Sequence, residues 1–317
     1  MKRPLFYFIL LLSVCLNSCV TYIEKDLDIK PKLVLFGYLV PQLDTTIVSL
    51  SNSVSMFATS DKRPKPIANA TVEISENNIN WIKLTFDEPY QHYFITQTDF
   101  PIIEGKTYYI RASAPEYEMV FSSCKVPFFR ETNLNLRVEE ANNDIHNGNV
   151  HSGTHYHHYF EWNDYPREDN YYIFCKNDSY WSYSYDWDNN GNILCDSTLY
   201  YHWGSYWDKK NKPCIFSDKG LDGKKMSVLL SVFLDTESCS NVTLLQSDEN
   251  CYLFETSYQE FWNASDFQSF MLEPMQLYTN IQNGYGVFGA FVMQDYSFEF
   301  EEPTKLISFS RETTSIP

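Results

Sequence analysis

A chain of 317 residues with 17% aromatic side chains and only 11 glycines is long enough for one large domain or two ordinary ones. Its 41 acidic residues against 24 basic ones, a formal net charge of −17, exclude a nucleic-acid surface, which needs Lys and Arg against phosphate. The same balance excludes electrostatic adhesion to anionic lipid, and the aromatic content favours strands over helices.

The first elements concern address rather than fold. Lys2 and Arg3 precede an apolar run from Leu5 to Leu16, broken only by Ser13. A membrane-spanning helix takes ~20 apolar residues, so this run fits a secretory signal instead. It ends in Leu16-Asn17-Ser18-Cys19, which resembles a bacterial lipobox; Cys15 is the rival, but it follows the branched Val14. In such proteins the peptide is cut before the cysteine, whose thiol and new amino group are acylated, and two or more acyl chains make a stable anchor. The expectation is a signal peptide over 1–18, lipidation at Cys19, a polar tether over 19–31 and an outer-membrane location, with the face left open. Six cysteines follow, at 124, 175, 195, 214, 239 and 251, compatible with three bridges in an exported chain. Cys239 with Cys251 and Cys195 with Cys214 are the expected pairs, and no Cys-x-x-Cys points to zinc or redox chemistry.

From Lys32 to Pro127 the pattern is strand after strand. Lys32–Val40 and Thr45–Ser51 come first, and Ile67–Ile74 and Trp81–Phe86 alternate apolar and polar residues. Glu104-Gly105 signals a turn before Thr107–Ala112, and Tyr117–Val126 follows. Short strands separated by turn signals predict an immunoglobulin-like β-sandwich over 32–127. Residues 128–154 are polar and read as a linker. A second β-rich domain is expected over 155–317. Tyr156–Trp162 and Asn170–Cys175 read as a strand pair joined at Asp164-Tyr165-Pro166, and an aromatic insertion covers 176–212. Met226–Leu234 reads as a strand buried on both faces. Residues 247–262 are the one helix, capped by Ser247, with Cys251, Phe254, Tyr258 and Phe261 at helical spacing. Gln282–Met293 and Lys305–Ser310 close the domain. The fold class is therefore mainly β, with one helix.

The most distinctive stretch is Glu273-Pro274 followed by Thr279-Asn280-Ile281-Gln282-Asn283-Gly284-Tyr285-Gly286-Val287-Phe288-Gly289-Ala290. It resembles the closing motif of an uncharacterised bacterial lipoprotein family, domain of unknown function 4249. Asn69–Val72, the Gly-Lys-Thr-Tyr-Tyr strand, and Asp164-Tyr165 followed by Asn170-Tyr171-Tyr172 agree with it in order. The resemblance implies a cell-envelope lipoprotein, often encoded near TonB-dependent outer-membrane receptors, with no established activity.

Four constellations bear on chemistry. Gly284-x-Gly286-x-x-Gly289 fits the dinucleotide fingerprint, but that site needs a following helix and an acid-bearing strand. Val287–Met293 reads as a buried strand, so a structural turn with positive φ or close strand approach is expected instead. Five of the seven histidines lie between His146 and His158; on a strand His155 and His157 share a face, which suits two imidazoles on zinc or copper, against a plain histidine-rich linker. Asp186-x-Asp188-x-Asn190-Gly191 matches the first half of a calcium loop without its closing glutamate, against a simple hairpin turn. Trp181, Tyr183, Tyr185 and Trp187 alternate with polar residues, and Trp203 and Trp207 follow. Such a row docks a partner or stacks on a glycan, or else folds onto the second domain's core. No Gly-x-Ser-x-Gly, His-Glu-x-x-His or phosphate-binding loop occurs. The expected function is a non-enzymatic, lipid-anchored accessory module without a required cofactor, partnered by a TonB-dependent receptor or a glycan. A structural envelope component and an envelope hydrolase without a recognisable motif are the alternatives.

Overall fold

Alternating burial organises the molecule from its first strand. In β1 (Leu33–Leu39) every second residue is buried, so Leu33, Leu35 and Leu39 line one face. Phe36 and Tyr38 occupy the other, against Phe254 at 5.5 Å and Phe291 at 6.0 Å between ring centroids. The computed structural model describes residues 30–54, 63–146, 149–187, 193–205, 214–233, 239–266, 276–302 and 305–312. β2 (Thr45–Asn52) pairs antiparallel to β1, and the short β5 (Thr85–Asp87) and β6 (His92–Thr96) continue to the sheet edge. On the other side β1 pairs parallel with β16 (Tyr285–Glu302), Val34 opposite Tyr285. Then come β15 (Cys239–Ser247), β11 (Tyr171–Trp187) and β12 (Ile193–Ser205). The short β13 (Ile215–Ser217) pairs with β11, and β17 (Lys305–Glu312) pairs with β16. One long sheet therefore runs through both expected domains.

Two smaller sheets cover successive parts of one face of that sheet. The first is β4-β3-β7-β8 (Ile82–Lys83, Thr71–Ser75, Thr107–Ser113 and Val120–Lys125). It closes a core containing Leu35, Val72, Ile110 and Val120, and completes a sandwich. The second is β14-β10-β9 (Lys225–Phe233, Asn149–Asn163 and Asn135–His146). It closes a second core in which Phe160 meets Phe174 at 5.0 Å and Trp162 meets Tyr172 at 5.6 Å. β16 serves both: Phe288, Ala290 and Val292 belong to the first core, and Tyr296 and Phe298 to the second. All five have the same parity in an unbroken register, so they share a face. The opposite face carries α1 (Glu249–Asp266). The chain is mainly β, with a single helix among the described residues, and no described helix is long and apolar enough to cross a membrane.

Several local expectations change. Residues 128–154, read as a linker, contain β9 and the start of β10, because Leu134, Leu136 and Val138 alternate beneath a polar sequence and pack on the second core. β10 and β11 are not a hydrogen-bonded pair but face each other from different sheets, so Asp164–Asn170 is a crossover between layers. Strand β14 alternates buried and exposed residues over 225–228 rather than burying both faces. The helix cap is Asp248, one residue after Ser247: its Oδ1 accepts the Cys251 N–H at 3.0 Å. Cys214 and Cys251 are buried free thiols, so neither expected disulfide forms in this structure.

Candidate functional site

The glycine motif resolves first, because its chemistry is packing. Gly286 has φ of 106°, and a Cβ there would lie 2.0 Å from the Leu35 carbonyl oxygen, so only glycine permits the parallel approach of β16 to β1. Gly289 faces the first turn of α1, where a Cβ would meet Cys251 Sγ at 2.4 Å. Asn280 grips the Phe288 backbone in both directions, donating to its carbonyl at 2.7 Å and accepting its N–H at 3.0 Å. Gly289 sits within a strand, and the motif cradles no phosphate.

A cleft of about 560 Å³ opens where the two cores meet. One wall is the segment leaving β8, Lys125 to Arg130; another is the turn before β11, Glu168 to Tyr171; the floor is Gln246 to Asn250, where β15 becomes α1. Each wall is fixed. Gln246 accepts the Arg130 N–H at 3.1 Å, donates back to its carbonyl at 2.5 Å and reaches Thr132 Oγ1 at 3.0 Å. Gln294 Oε1 accepts the Thr132 N–H at 3.0 Å and the Tyr296 hydroxyl at 2.5 Å. Arg130 joins the two lips through Glu168 at 2.5 Å and holds its guanidinium 5.5 Å from the Phe128 ring centroid. Tyr171 packs on Tyr252 at 4.9 Å. Burial pushes its hydroxyl up to about 12, helped by Glu249 and Asp169, so it stays protonated and able to donate. Asp248 ties α1 to β16 by accepting from Cys251 and from the Ala290 N–H at 3.2 Å. No sequence motif marks this cleft, since its walls come from three separate segments.

A second cluster lies at the outer end of the second core. Asp164, Asp218 and Asp222 place carboxylate oxygens within 4.8 Å of one another, and the first two residues are buried at 4% and 5% exposure. Asp164 accepts the Tyr172 hydroxyl at 2.9 Å and the Gly223 N–H at 2.8 Å. Asp218 accepts the Asn170 N–H at 3.1 Å, and Asp222 the Arg167 N–H at 2.7 Å. Burial raises the Asp218 carboxyl above its usual range, and Asp164 adds to the rise. The donor set suits a hard cation such as Ca²⁺ rather than zinc, although Ca²⁺ takes 6–8 oxygens.

The residues expected from sequence fall elsewhere. Cys19, Asp188, Asn190 and Trp207 lie outside the described residues. His155 and His157 occupy alternate positions of β10, opposite Phe233 and Ser231 of β14. His157 meets Tyr159 edge-on at 6.3 Å. Among the described residues, the only group of three ligand-type side chains within mutual reach is the aspartate trio, without a histidine. Asp186 sits opposite Leu194 in the β11–β12 ribbon. Trp181, Tyr183, Tyr185 and Trp187 occupy β11 positions opposite Leu199, Ser197, Cys195 and Ile193, and Trp203 lies opposite Asn177. This ribbon runs beyond β15, whose pairing with β11 ends at Asn177.

Comparison with known proteins gives one family match. The model of a family described as Domain of unknown function (DUF4249) matches residues 20–297. Among curated proteins, none matches this chain.

Proposed function

The chain belongs to the DUF4249 family, a domain of unknown function, and on that premise we propose a lipid-anchored outer-membrane accessory module. It works without catalysis and presents the β11–β12 ribbon to a partner, a TonB-dependent receptor. One observation carries the contact surface: the phase of β11. Tyr172 and Phe174 fill the second core, and the register from Cys175 to Trp187 has no bulge. Trp181, Tyr183, Tyr185 and Trp187 occupy β11 positions of the opposite parity to Tyr172 and Phe174. That phase favours a contact row over a continuation of the core.

The placement of the ends supports the same reading. β1 begins beside Tyr285, and β16 then runs to Glu302, roughly 55 Å at about 3.3 Å per residue. β11 runs parallel to β16 and extends further past their common partner. A tether at one end holds the ribbon at the other, clear of the bilayer, and aromatic residues give large contact area at low side-chain entropy.

The test is capture of a TonB-dependent receptor by the full chain from solubilised membranes. Cys19→Ala is expected to release the protein from membranes. Replacing Trp181, Trp187, Trp203 and Trp207 with Ala is expected to abolish capture while the melting temperature holds. Undiminished capture by that variant overturns the ribbon as the contact. A glycan array hit lost in the same variant, with no receptor recovered, replaces receptor docking by glycan binding. Loss of both capture and fold places those Trp residues in the core and removes the ribbon from the reading.

A further inference from the structure

Charge is spread unevenly along this chain. Between residues 30 and 125, Lys and Arg number nine against ten Asp and Glu, a balance of −1; over 126–317 they number twelve against twenty-eight, a balance of −16. The net charge excludes adhesion to anionic lipid by the surface as a whole, and the first sandwich is the part that this exclusion spares.

One end of that sandwich collects exposed cations and apolar side chains. β1 and β16 both start there, and β2 ends there. The Ser53 N–H donates to the Lys32 carbonyl at 2.8 Å, and the Lys32 N–H to Ser53 Oγ at 2.9 Å. Asn52 holds Lys65 beside them, its Oδ1 accepting the Lys65 N–H at 2.8 Å. Lys32 Nζ lies 5.4 Å from the Tyr285 ring centroid. Asn283 donates to the Met119 carbonyl at 3.2 Å, and Phe121 bridges to Gln282, which brings the start of β8 to the same end. Lys30, Lys32, Arg63 and Lys65 are exposed, and none of them forms an ion pair among the described residues. Glu116 and Glu118 stand against them in the turn before Met119. Met119 is 53% exposed and Tyr285 44%.

The chain also enters the fold at this end. Lys30 is eleven residues past Cys19, at most ~40 Å of extended chain, so an acyl anchor at Cys19 brings this end up to the headgroups ahead of the rest. Ammonium and guanidinium groups pair with phosphate, and Tyr suits a membrane–water interface, with an apolar ring and a polar tip. A second copy of this chain is the poorer occupant, because a two-fold contact sets the same cations against each other. We propose that this end of the first sandwich is a membrane-contact face. Lys30, Lys32, Arg63 and Lys65 meet the phosphates of a phospholipid headgroup layer, and Met119 and Tyr285 enter its outer edge. The inference rests on the lipid-anchored reading and deepens it by giving the protein a direction: the acidic remainder, ribbon included, points away from the bilayer.

The experiment reconstitutes the acylated full chain in vesicles of phosphatidylethanolamine with phosphatidylglycerol. Hydroxyl-radical footprinting reads Met119 and Tyr285 directly, with Phe128, past the far end of β8, as the reference. Oxidation of Met119 and Tyr285 is expected to fall several-fold relative to a Cys19→Ala chain beside the same vesicles, while Phe128 stays unchanged. Replacing Lys30, Lys32 and Lys65 together with Glu is expected to restore most of that oxidation while the protein stays on the vesicles. The bonds that order this end use backbone groups of Lys32 and Lys65, so the melting temperature of that variant should hold. Three results overturn the proposal: Met119 and Tyr285 react as fast on vesicles as off them; protection persists undiminished in the charge variant; or protection appears without vesicles and grows with protein concentration, which makes the occupant a second copy. A mass spectrum without acyl groups at Cys19 overturns the anchored reading and this face with it, whereas an acylated chain left unprotected overturns the face alone.

Discussion

Asn280 and Asp248 do for the edge of β16 what a longer β15 would do. β15 ends at Ser247, opposite Phe291. Beyond it, Asp248 exchanges bonds with Ala290 through its backbone N–H at 2.9 Å and its side chain at 3.2 Å. Asn280 then supplies both bonds at Phe288. Side chains thus continue a ladder where the backbone has turned into a helix. Asn280→Ala leaves the Phe288 N–H and carbonyl without those partners, and each buried group left unmade costs about 1–3 kcal/mol. The expected loss is roughly 2–4 kcal/mol, read from the midpoint of urea unfolding. A variant within half a kcal/mol of the parent would show that water replaces the amide at no cost. The sequence marked Asn280-Ile281 and the three glycines as distinctive. It did not say that the amide is a surrogate strand, because that role depends on where β15 stops.

Elements were legible where their burial is one-sided and local. β3 was readable from alternation, β1, β2, β7 and β8 as short strands set off by turn signals, and α1 from the spacing of Cys251 and Phe254. β9 was not, because Asn142, Asn143 and Asp144 gave the whole stretch the look of a linker although Leu134, Leu136 and Val138 kept period two. Pairing was the larger gap. Nothing local joins Val34 to Tyr285 across the chain, and that parallel contact alone makes β16 common to both cores. The cleft was illegible for the same reason, being assembled from residues near 125–130, 168–171 and 246–250. Its seam predicts an element-scale effect. Gln294 stands on β16 between Val292 of one core and Tyr296 of the other, and accepts from Thr132 and Tyr296. Gln294→Ala strands the Thr132 N–H, while the Tyr296 hydroxyl keeps the Thr132 carbonyl as its acceptor at 2.5 Å, and loosens the segment that crosses between the layers. The expected destabilisation is roughly 1–3 kcal/mol, with hydrogen exchange rising first at residues 130–134. Exchange that rises equally over β3 and β7 would mean that the seam does not behave as a separate unit.

At the scale of the whole molecule the dominant fact is negative charge, and the buried carboxylates follow its sign. Asp218, Asp248 and Glu255 are all raised above their usual range, each chiefly by burial. A carboxyl whose pKa is higher folded than unfolded takes up a proton on folding. Its stabilising contribution is therefore complete below the unfolded value, near 4, and is lost as pH rises through the folded one. Self-repulsion across a chain of net charge −17 pushes the same way, since protonation relieves it. The melting temperature is accordingly expected to be higher at pH 5 than at pH 8. Moderate salt should raise it more at pH 8 than at pH 5, because screening acts on exposed charge. Glu255 isolates the buried part: it lies on the sheet-facing side of α1, where it disfavours ionisation of Tyr38 on β1 and Cys175 on β11. Glu255→Gln removes the charge while keeping the shape, so it should raise the melting temperature at pH 8 and change it little at pH 4. Differential scanning fluorimetry over that range decides the matter. A Glu255→Gln variant less stable than the parent at pH 8 would mean that the ionised carboxylate is held by a favourable contact, and that its burial does not set the direction of the pH profile.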